Sequence, residues 1–313
     1  MIQSLNLVFC GTPQFAVSPL EKLVESGFAV RLVLTQPDRP KGRGLEVIAS
    51  PVKRAAEKLQ LPIYQPEKIR INEELRAKLE ETAPGAIIVV GYGRIIPKWM
   101  LDLPRFGNIN LHASLLPKYR GAAPIQWAIA SGESVTGVTT MRINEGLDTG
   151  DILLRRELAI ADNDTAETLS PKLAAIGADL MIETLRGLDA GTITPRPQND
   201  AEACLAPILK KEDGRIDFTR SAQEIYNRFR GFQPWPGAFT NFRGKGLNLT
   251  GMMPAKAEAS PTQLLVTGDA LYVGCGSRTS LQLLEVQPEG KKRIKSQDFI
   301  HGYRIKPGET LGT

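Results

Sequence analysis

A mostly parallel α/β sheet with helices on both faces, followed by a small β-barrel, is the architecture the sequence predicts. Three observations predict it. Strand-like and helix-like segments alternate up to residue 188, the pattern then breaks into a turn-rich stretch, and short strands separated by Gly and Pro follow.

The elements are read in order. Leu5–Cys10 is a short apolar run, followed by a Gly11-Thr12-Pro13 turn and an amphipathic segment from Phe15 to Glu25. Ala29–Thr35 reads as a second strand, and Pro51–Lys58 as a helix with Ser50 as N-cap and Pro51 in its first turn. Asn72–Glu81 reads as another helix. Ala86-Ile87-Ile88-Val89-Val90 is apolar throughout, as a central strand buried on both faces must be. Gly107–Leu111 and Val135–Met141 read as further strands, and Thr165–Leu188 as a long helix with a kink expected near Pro171 and Gly177. The whole is a Rossmann-like βαβ rhythm. Beyond the break the sequence predicts one helix, Ser221–Arg230, and strands at Lys245–Leu249, Gln263–Val266, Ala270–Gly274 and Ser280–Val286. The expected domains are residues 1–189 and 207–313, joined by a linker at 190–206.

Composition narrows the function. With 313 residues, 42% hydrophobic and 23% charged, the chain is long enough for two globular domains. No apolar run is long enough to span a bilayer, and the first five residues lack the basic start of a signal peptide, so a cytoplasmic protein is expected. Cys10, Cys204 and Cys275 lie far apart and suggest neither a disulfide framework nor zinc. The turn after the first strand is not GxGxxG, and no GxxxxGK[ST] occurs, so neither NAD nor ATP is expected. From Pro207 onward there are 16 Lys and Arg against 10 Asp and Glu. That basic excess fits an anionic partner, and equally a solvated surface.

The stretch "NINLHASLLPKYRGAAPIQWAI", residues 108 to 129, contains one of only two histidines. If Gly107–Leu111 is a strand, Asn110 and His112 project to one face, because side-chain direction repeats every two residues. They would stand at its carboxyl end, where open α/β sheets place ligands. In "NEGLDTGDIL", residues 144 to 153, Asp148 sits in a Gly-rich loop after the Val135–Met141 strand. If the two strands are neighbours, its carboxylate reaches His112. Amide, imidazole and carboxylate together supply donors for an oxyanion and a proton acceptor for an attacking amine. A structural strand-end histidine is the plain alternative. A metal site is the other, but one His and one Asp are too few ligands, and no metal is expected.

Residues 35 to 54, "TQPDRPKGRGLEVIASPVKR", carry Arg39, Lys41, Arg43, Lys53 and Arg54 against Asp38 and Glu46. Three prolines and two glycines predict an irregular extension. It is either a solvated loop or an arm that grips phosphates.

Taken together, "FCGTPQFA", "TQPDRPKGRG", "SPVKR", the His112 stretch, "GLDTGDIL" and "GFQPWPGAF" (residues 231 to 239) closely resemble the methionyl-tRNA formyltransferase family, in order and through both domains. The Asn-x-His-x-Ser-x-x-Pro pattern is shared with other enzymes that use 10-formyltetrahydrofolate; the basic loop and "RGAAPIQ" narrow the match. Asn144 departs from the acid or small residue expected ahead of Gly146. The resemblance implies a formyl transferase without a metal, working as a monomer. Its formyl donor is 10-formyltetrahydrofolate, and its acceptor is the α-amino group of initiator methionyl-tRNA. Direct attack through a tetrahedral intermediate is the implied chemistry. It implies catalytic roles for Asn110, His112 and Asp148, and folate contacts at Ser114, Leu115, Leu116 and Pro117. It also implies tRNA contacts at Arg39, Lys41 and Arg43, and an OB-like second domain that holds the tRNA. An N-formyltransferase acting on an amino sugar or glycinamide ribonucleotide is the alternative.

Overall fold

Local chemistry fixes the elements before packing does. Ser50 Oγ accepts the Lys53 N–H at 3.0 Å and Pro51 opens the helix after it; Asn72 Oδ1 accepts the Leu75 N–H at 2.9 Å and starts the next. The computed structural model describes residues 5–41 and 46–312. Its elements run β1 (Asn6–Gly11), α1 (Val17–Glu25), β2 (Ala29–Leu34), β3 (Arg39–Lys41), β4 (Glu46–Ile48), α2 (Pro51–Lys58) and β5 (Ile63–Tyr64). Next come α3 (Glu73–Thr82), β6 (Ala86–Val90), α4 (Lys98–Leu101), β7 (Asn108–His112) and α5 (Pro124–Ala130), then β8 (Val135–Arg142), β9 (Ile152–Ala159) and α6 (Ala166–Asp189). The chain continues with α7 (Ala222–Gly231), β10 (Phe239–Phe242), β11 (Lys245–Ala255), β12 (Leu264–Thr267), β13 (Ala270–Cys275), β14 (Thr279–Pro288), β15 (Ile294–Lys295) and α8 (Ser296–Tyr303).

These form two compact units. The first comprises Met1–Pro124, Val135–Ala159 and Leu169–Pro207, the second Ile125–Ser134, Ile160–Thr168 and Ile208–Thr313. The units are therefore discontinuous in sequence, unlike the linear division at 189 and 207. The stretch expected as a linker carries little regular structure beyond a turn at Asp200–Glu202, yet it is hydrogen-bonded onto the first unit.

In the first unit seven strands form one sheet in the order β5-β2-β1-β6-β7-β8-β9. Pairings from β5 to β7 are parallel; β8 and β9 are antiparallel. Every residue of β6 is buried, and each large aliphatic side chain so removed from water contributes about 1.5–3 kcal/mol. Register defines two faces. One carries Val8, Cys10, Ile87 and Val89 against Leu75 and Leu79 of α3 and Met100 of α4. On the other lies α6: Gly177 sits so close to Leu111 that a Cβ would stand 2.8 Å from its Cδ2, and Thr184 shares a 2.8 Å hydrogen bond with Thr140. Pro171 lies inside this helix. Asn110 pairs with Val89, so Asn110 and His112 belong to the first face.

β9 has no counterpart among the predicted strands. Its "ILLRRELA" is an edge strand with three of its eight residues exposed, and charged side chains interrupt the apolar ones. Arg39 and Lys41, expected on an irregular extension, lie in a two-stranded ribbon: Arg39 pairs with Ile48 and Lys41 with Glu46. A ribbon with no further neighbour tolerates Pro40, since the missing N–H leaves no inner ladder broken.

The second unit is an antiparallel sheet in the order β10-β11-β14-β13-β12, with β15 on β14. Leu249, Leu271, Val273, Leu281, Leu283 and Phe299 form its core. The tail ties the two edges: the Leu264 N–H donates to Glu309 and the Gly312 N–H to Asn241 in β10, both at 2.8 Å. That closure is the OB-like feature. α7 begins with a capping box between Ser221 and Glu224. Among the described residues, no helix is long and apolar enough to cross a membrane.

Candidate active site

The parallel strands β6 and β7 end side by side, and the candidate site lies past their carboxyl ends. Asn110 and His112 project from alternate positions of β7. Asp148 comes from the turn between β8 and β9, and it reaches them because β8 pairs directly with β7. The three groups converge. Asn110 Nδ2 lies 3.4 Å from Asp148 Oδ1, and His112 Nδ1 lies 3.7 Å from Asp148 Oδ2.

His112 is buried, with 6% of its surface exposed. Its Nε2 is 2.8 Å from the Tyr119 carbonyl oxygen. A carbonyl only accepts, so Nε2 carries a hydrogen and the tautomer is fixed. That leaves Nδ1 as the ring nitrogen able to take up or release a proton, and Nδ1 faces the carboxylate. The strand-end reading of this histidine thus describes half of the ring.

Asp148 is held in the left-handed region, φ +51°. For a non-glycine residue this costs about 1–3 kcal/mol and persists only when the surroundings impose it. Here Oδ2 accepts the Gly121 N–H at 2.9 Å, and the Asp148 carbonyl accepts Gln198 Nε2 at 2.8 Å. Gly150, two residues on, has no room for a side chain: a Cβ would overlap the Arg142 carbonyl oxygen.

Ser114 to Pro117 form the turn that carries Tyr119 back over His112. Ser114 and Leu116 are fully buried. Ser114 Oγ donates to the Lys118 carbonyl at 2.6 Å, and Thr139 Oγ1 bridges the segment by accepting the Leu116 N–H (3.1 Å) and donating to the Ser114 carbonyl (2.7 Å). The Leu116–Pro117 bond is cis. Leu115 is half-buried. The side chains of Ser114 and Leu116 therefore point into the protein, which leaves the backbone and Leu115 as the groups available to a ligand.

Of the basic loop, Arg39 is exposed and Lys41 ends β3; Arg43 lies outside the described residues. The ribbon's two feet are tied together. Lys53 forms an ion pair with Asp38, whose other oxygen accepts Gln65 Nε2 at 2.8 Å, and the hydroxyls of Thr35 and Ser50 are 2.7 Å apart. The Lys53 and Gln65 hydrogen bonds hold the Asp38 carboxyl below its usual range. Among the described residues, no three His, Cys, Asp or Glu side chains cluster as metal ligands would.

Sequence reasoning missed Tyr119, Gly121 and Gln198. Tyr119 and Gly121 act through backbone groups, which leave no mark in residue type, although the glycine in "YRGAAP" signals an unusual conformation: its φ is +120°. Gln198 is a single neutral side chain in an aperiodic stretch.

The same architecture is recognisable in known proteins. Residues 5–185 match the formyl transferase family and residues 208–304 match formyl transferase, C-terminal domain. The chain belongs to the formyl transferase family. At full length its likeness is to methionyl-tRNA formyltransferases: it is 64% identical to that of Koribacter versatilis over 98% of each chain. It is 61% identical to that of Acidobacterium capsulatum over 98% of this chain and 100% of the other. Among solved structures, the sugar 3N-formyl transferase WlaRD, determined in the presence of dTDP and 5-N-formyl-THF, shares the fold. The TM-score is 0.66 at 17% identity, covering 92% of this chain and 99% of that one.

Proposed function

We propose that this enzyme transfers the formyl group of 10-formyltetrahydrofolate to the free α-amino group of initiator methionyl-tRNA, working as a cytoplasmic monomer. One observation carries the reading: an amide, an imidazole and a carboxylate meet within 3.4–3.7 Å beyond the carboxyl ends of β6 and β7. Full-length identity to methionyl-tRNA formyltransferases supports the choice of acceptor.

The chemistry follows from the atoms. The neutral amine attacks the formyl carbon, a nitrogen–carbon bond forms, and negative charge develops on the formyl oxygen. Asn110 Nδ2 and a protonated His112 Nδ1 donate to that oxygen, with the Asp148 carboxylate balancing the imidazolium. The carbon–nitrogen bond to the donor then breaks. The protonated His112 Nδ1 gives its proton to the departing nitrogen and then takes up the one lost by the amine, directly or through a water held by Asp148. Tyr119 O keeps the ring oriented throughout. The donor is expected along the Ser114–Pro117 turn, through its backbone and Leu115. Arg39, Lys41 and Arg43 grip the acceptor end of the tRNA, and the basic stretch from Pro207 onward, with 16 Lys and Arg against 10 Asp and Glu, holds it further along.

The test is formylation with labelled 10-formyltetrahydrofolate, offered charged initiator tRNA, uncharged tRNA and an amino-sugar nucleotide in parallel. Label on the charged tRNA alone is expected. Label on the sugar amine with none on tRNA overturns the reading and favours the alternative.

A further inference from the structure

Residues 196–206 carry little regular structure but pair along the first unit as a strand would. Ile152 and Arg196 exchange backbone hydrogen bonds of 2.8 and 2.9 Å. The Arg120 N–H donates to Cys204 at 2.9 Å, and the Ala206 N–H donates to Arg120 at 2.7 Å. Between these anchors, Gln198 Nε2 donates to the carbonyls of Asp148 and Gly150, each at 2.8 Å. Its Oε1 accepts Nε and Nη2 of Arg120 at 3.0 and 2.8 Å. Arg120 is 7% exposed, and its Nη2 also reaches Asp200 at 2.7 Å.

The connections close a ring. Gly121, the residue after Arg120, gives its N–H to the Asp148 carboxylate; the Arg120 side chain holds Gln198, and Gln198 holds the Asp148 carbonyl. Both ends of Asp148 are thus fixed from one dipeptide, which is what a residue at φ +51° requires.

We propose that Gln198 is a positioning residue for formyl transfer: its amide clamps the Asp148–Gly150 turn and so sets the Asp148 carboxylate against Nδ1 of His112. The proposal rests on the catalytic reading of Asp148 given above. A misplacement of about 1 Å at a reacting group costs on the order of 10²-fold in rate.

Glutamate separates clamping from mere support. Gln198→Glu keeps an acceptor for Arg120 and gains an ion pair, but it sets an anionic oxygen against two carbonyls and donates nothing. We expect the full-length Gln198→Glu enzyme to remain folded, the new ion pair with Arg120 offsetting part of the lost hydrogen bonds. Its kcat on charged initiator tRNA should fall about 10- to 100-fold, with KM for tRNA and donor unchanged. Gln198→Met, of similar length and without a donor, should show the same kcat loss, and it serves if glutamate unfolds the segment. In an Asp148→Ala background neither change should lower kcat further. Parent-like kcat in both variants, or equal losses with and without Asp148, overturns the proposal. Near-normal kcat in Asp148→Ala alone would instead overturn the catalytic reading, so the two failures are read on different variants.

Discussion

Nδ1 of His112 lies 3.7 Å from Oδ2 of Asp148, while Nε2 of the same ring is 2.8 Å from a backbone carbonyl. The ring therefore offers the reaction one nitrogen. His112→Ala removes that nitrogen, and Asn110→Ala removes the neighbouring amide donor. Loss of one well-placed oxyanion donor costs roughly 10²–10³ in rate, so each variant is expected to lose at least that factor in kcat. The affinity for tRNA, measured by filter binding, should stay within about twofold, since a 1.4 kcal/mol change would be needed for tenfold. Near-parental kcat in either variant removes that residue from the mechanism.

The turn that presents Asp148 is also a packing constraint. A methyl group on Gly150 would meet the Arg142 carbonyl oxygen, which is backbone and cannot rotate away. At Gly121 the methyl would stand 2.7 Å from the Ala206 carbonyl, on a residue already at φ +120°. Gly150→Ala is expected to cost about 1–3 kcal/mol of stability by overpacking and to lower kcat as the turn shifts. Urea unfolding together with steady-state kinetics checks both. A variant of parental stability would mean that the turn gives way more easily than its contacts imply.

The sheet and half of the site were legible for definite reasons. Ala86–Val90 announces a doubly buried strand because every residue is apolar, and Asn110 and His112 share a face because a strand repeats every two residues. Asp148 could be placed because its loop follows a strand that pairs with β7. What stayed hidden works without residue-type signatures. Tyr119 and Gly121 contribute a carbonyl and an N–H, and Gln198 acts from a stretch without period. β9 was hidden because Arg155, Arg156 and Glu157 interrupt its apolar pattern on an exposed edge.

The basic ribbon carries the next prediction. Arg39 is exposed on β3 next to the stretch that holds Arg43. Replacing Arg39 or Arg43 with Ala should lower kcat/KM for charged initiator tRNA, one contact being commonly worth about 1–3 kcal/mol. If the contact is to a phosphate, the dependence of log K on log salt should flatten by about one unit per contact removed. Turnover at saturating tRNA should hardly change, because these residues bind rather than react. An unchanged kcat/KM in both variants would dismiss the ribbon as a tRNA contact.

The same ribbon gives a pH prediction whose sign is fixed by its anchor. Hydrogen bonds from Lys53 and Gln65 favour the charged form of Asp38 and depress its ionisation below the ordinary value of 3.8. A carboxyl depressed in the folded state contributes stability above its unfolded value, and the contribution fades as pH falls through the folded one. Asp38→Asn should therefore melt below the parent at pH 7, and the gap should narrow as pH drops below 3.8. Parent and variant melts recorded at neutral pH and in steps below pH 3.8 decide it. A gap that widens with acid would show that Asp38 is strained by its neighbours rather than held by them. Because Asp38 stands where the ribbon leaves the sheet, the variant should also lose part of the tRNA kcat/KM at pH 7, tying the footing of the arm to what the arm grips.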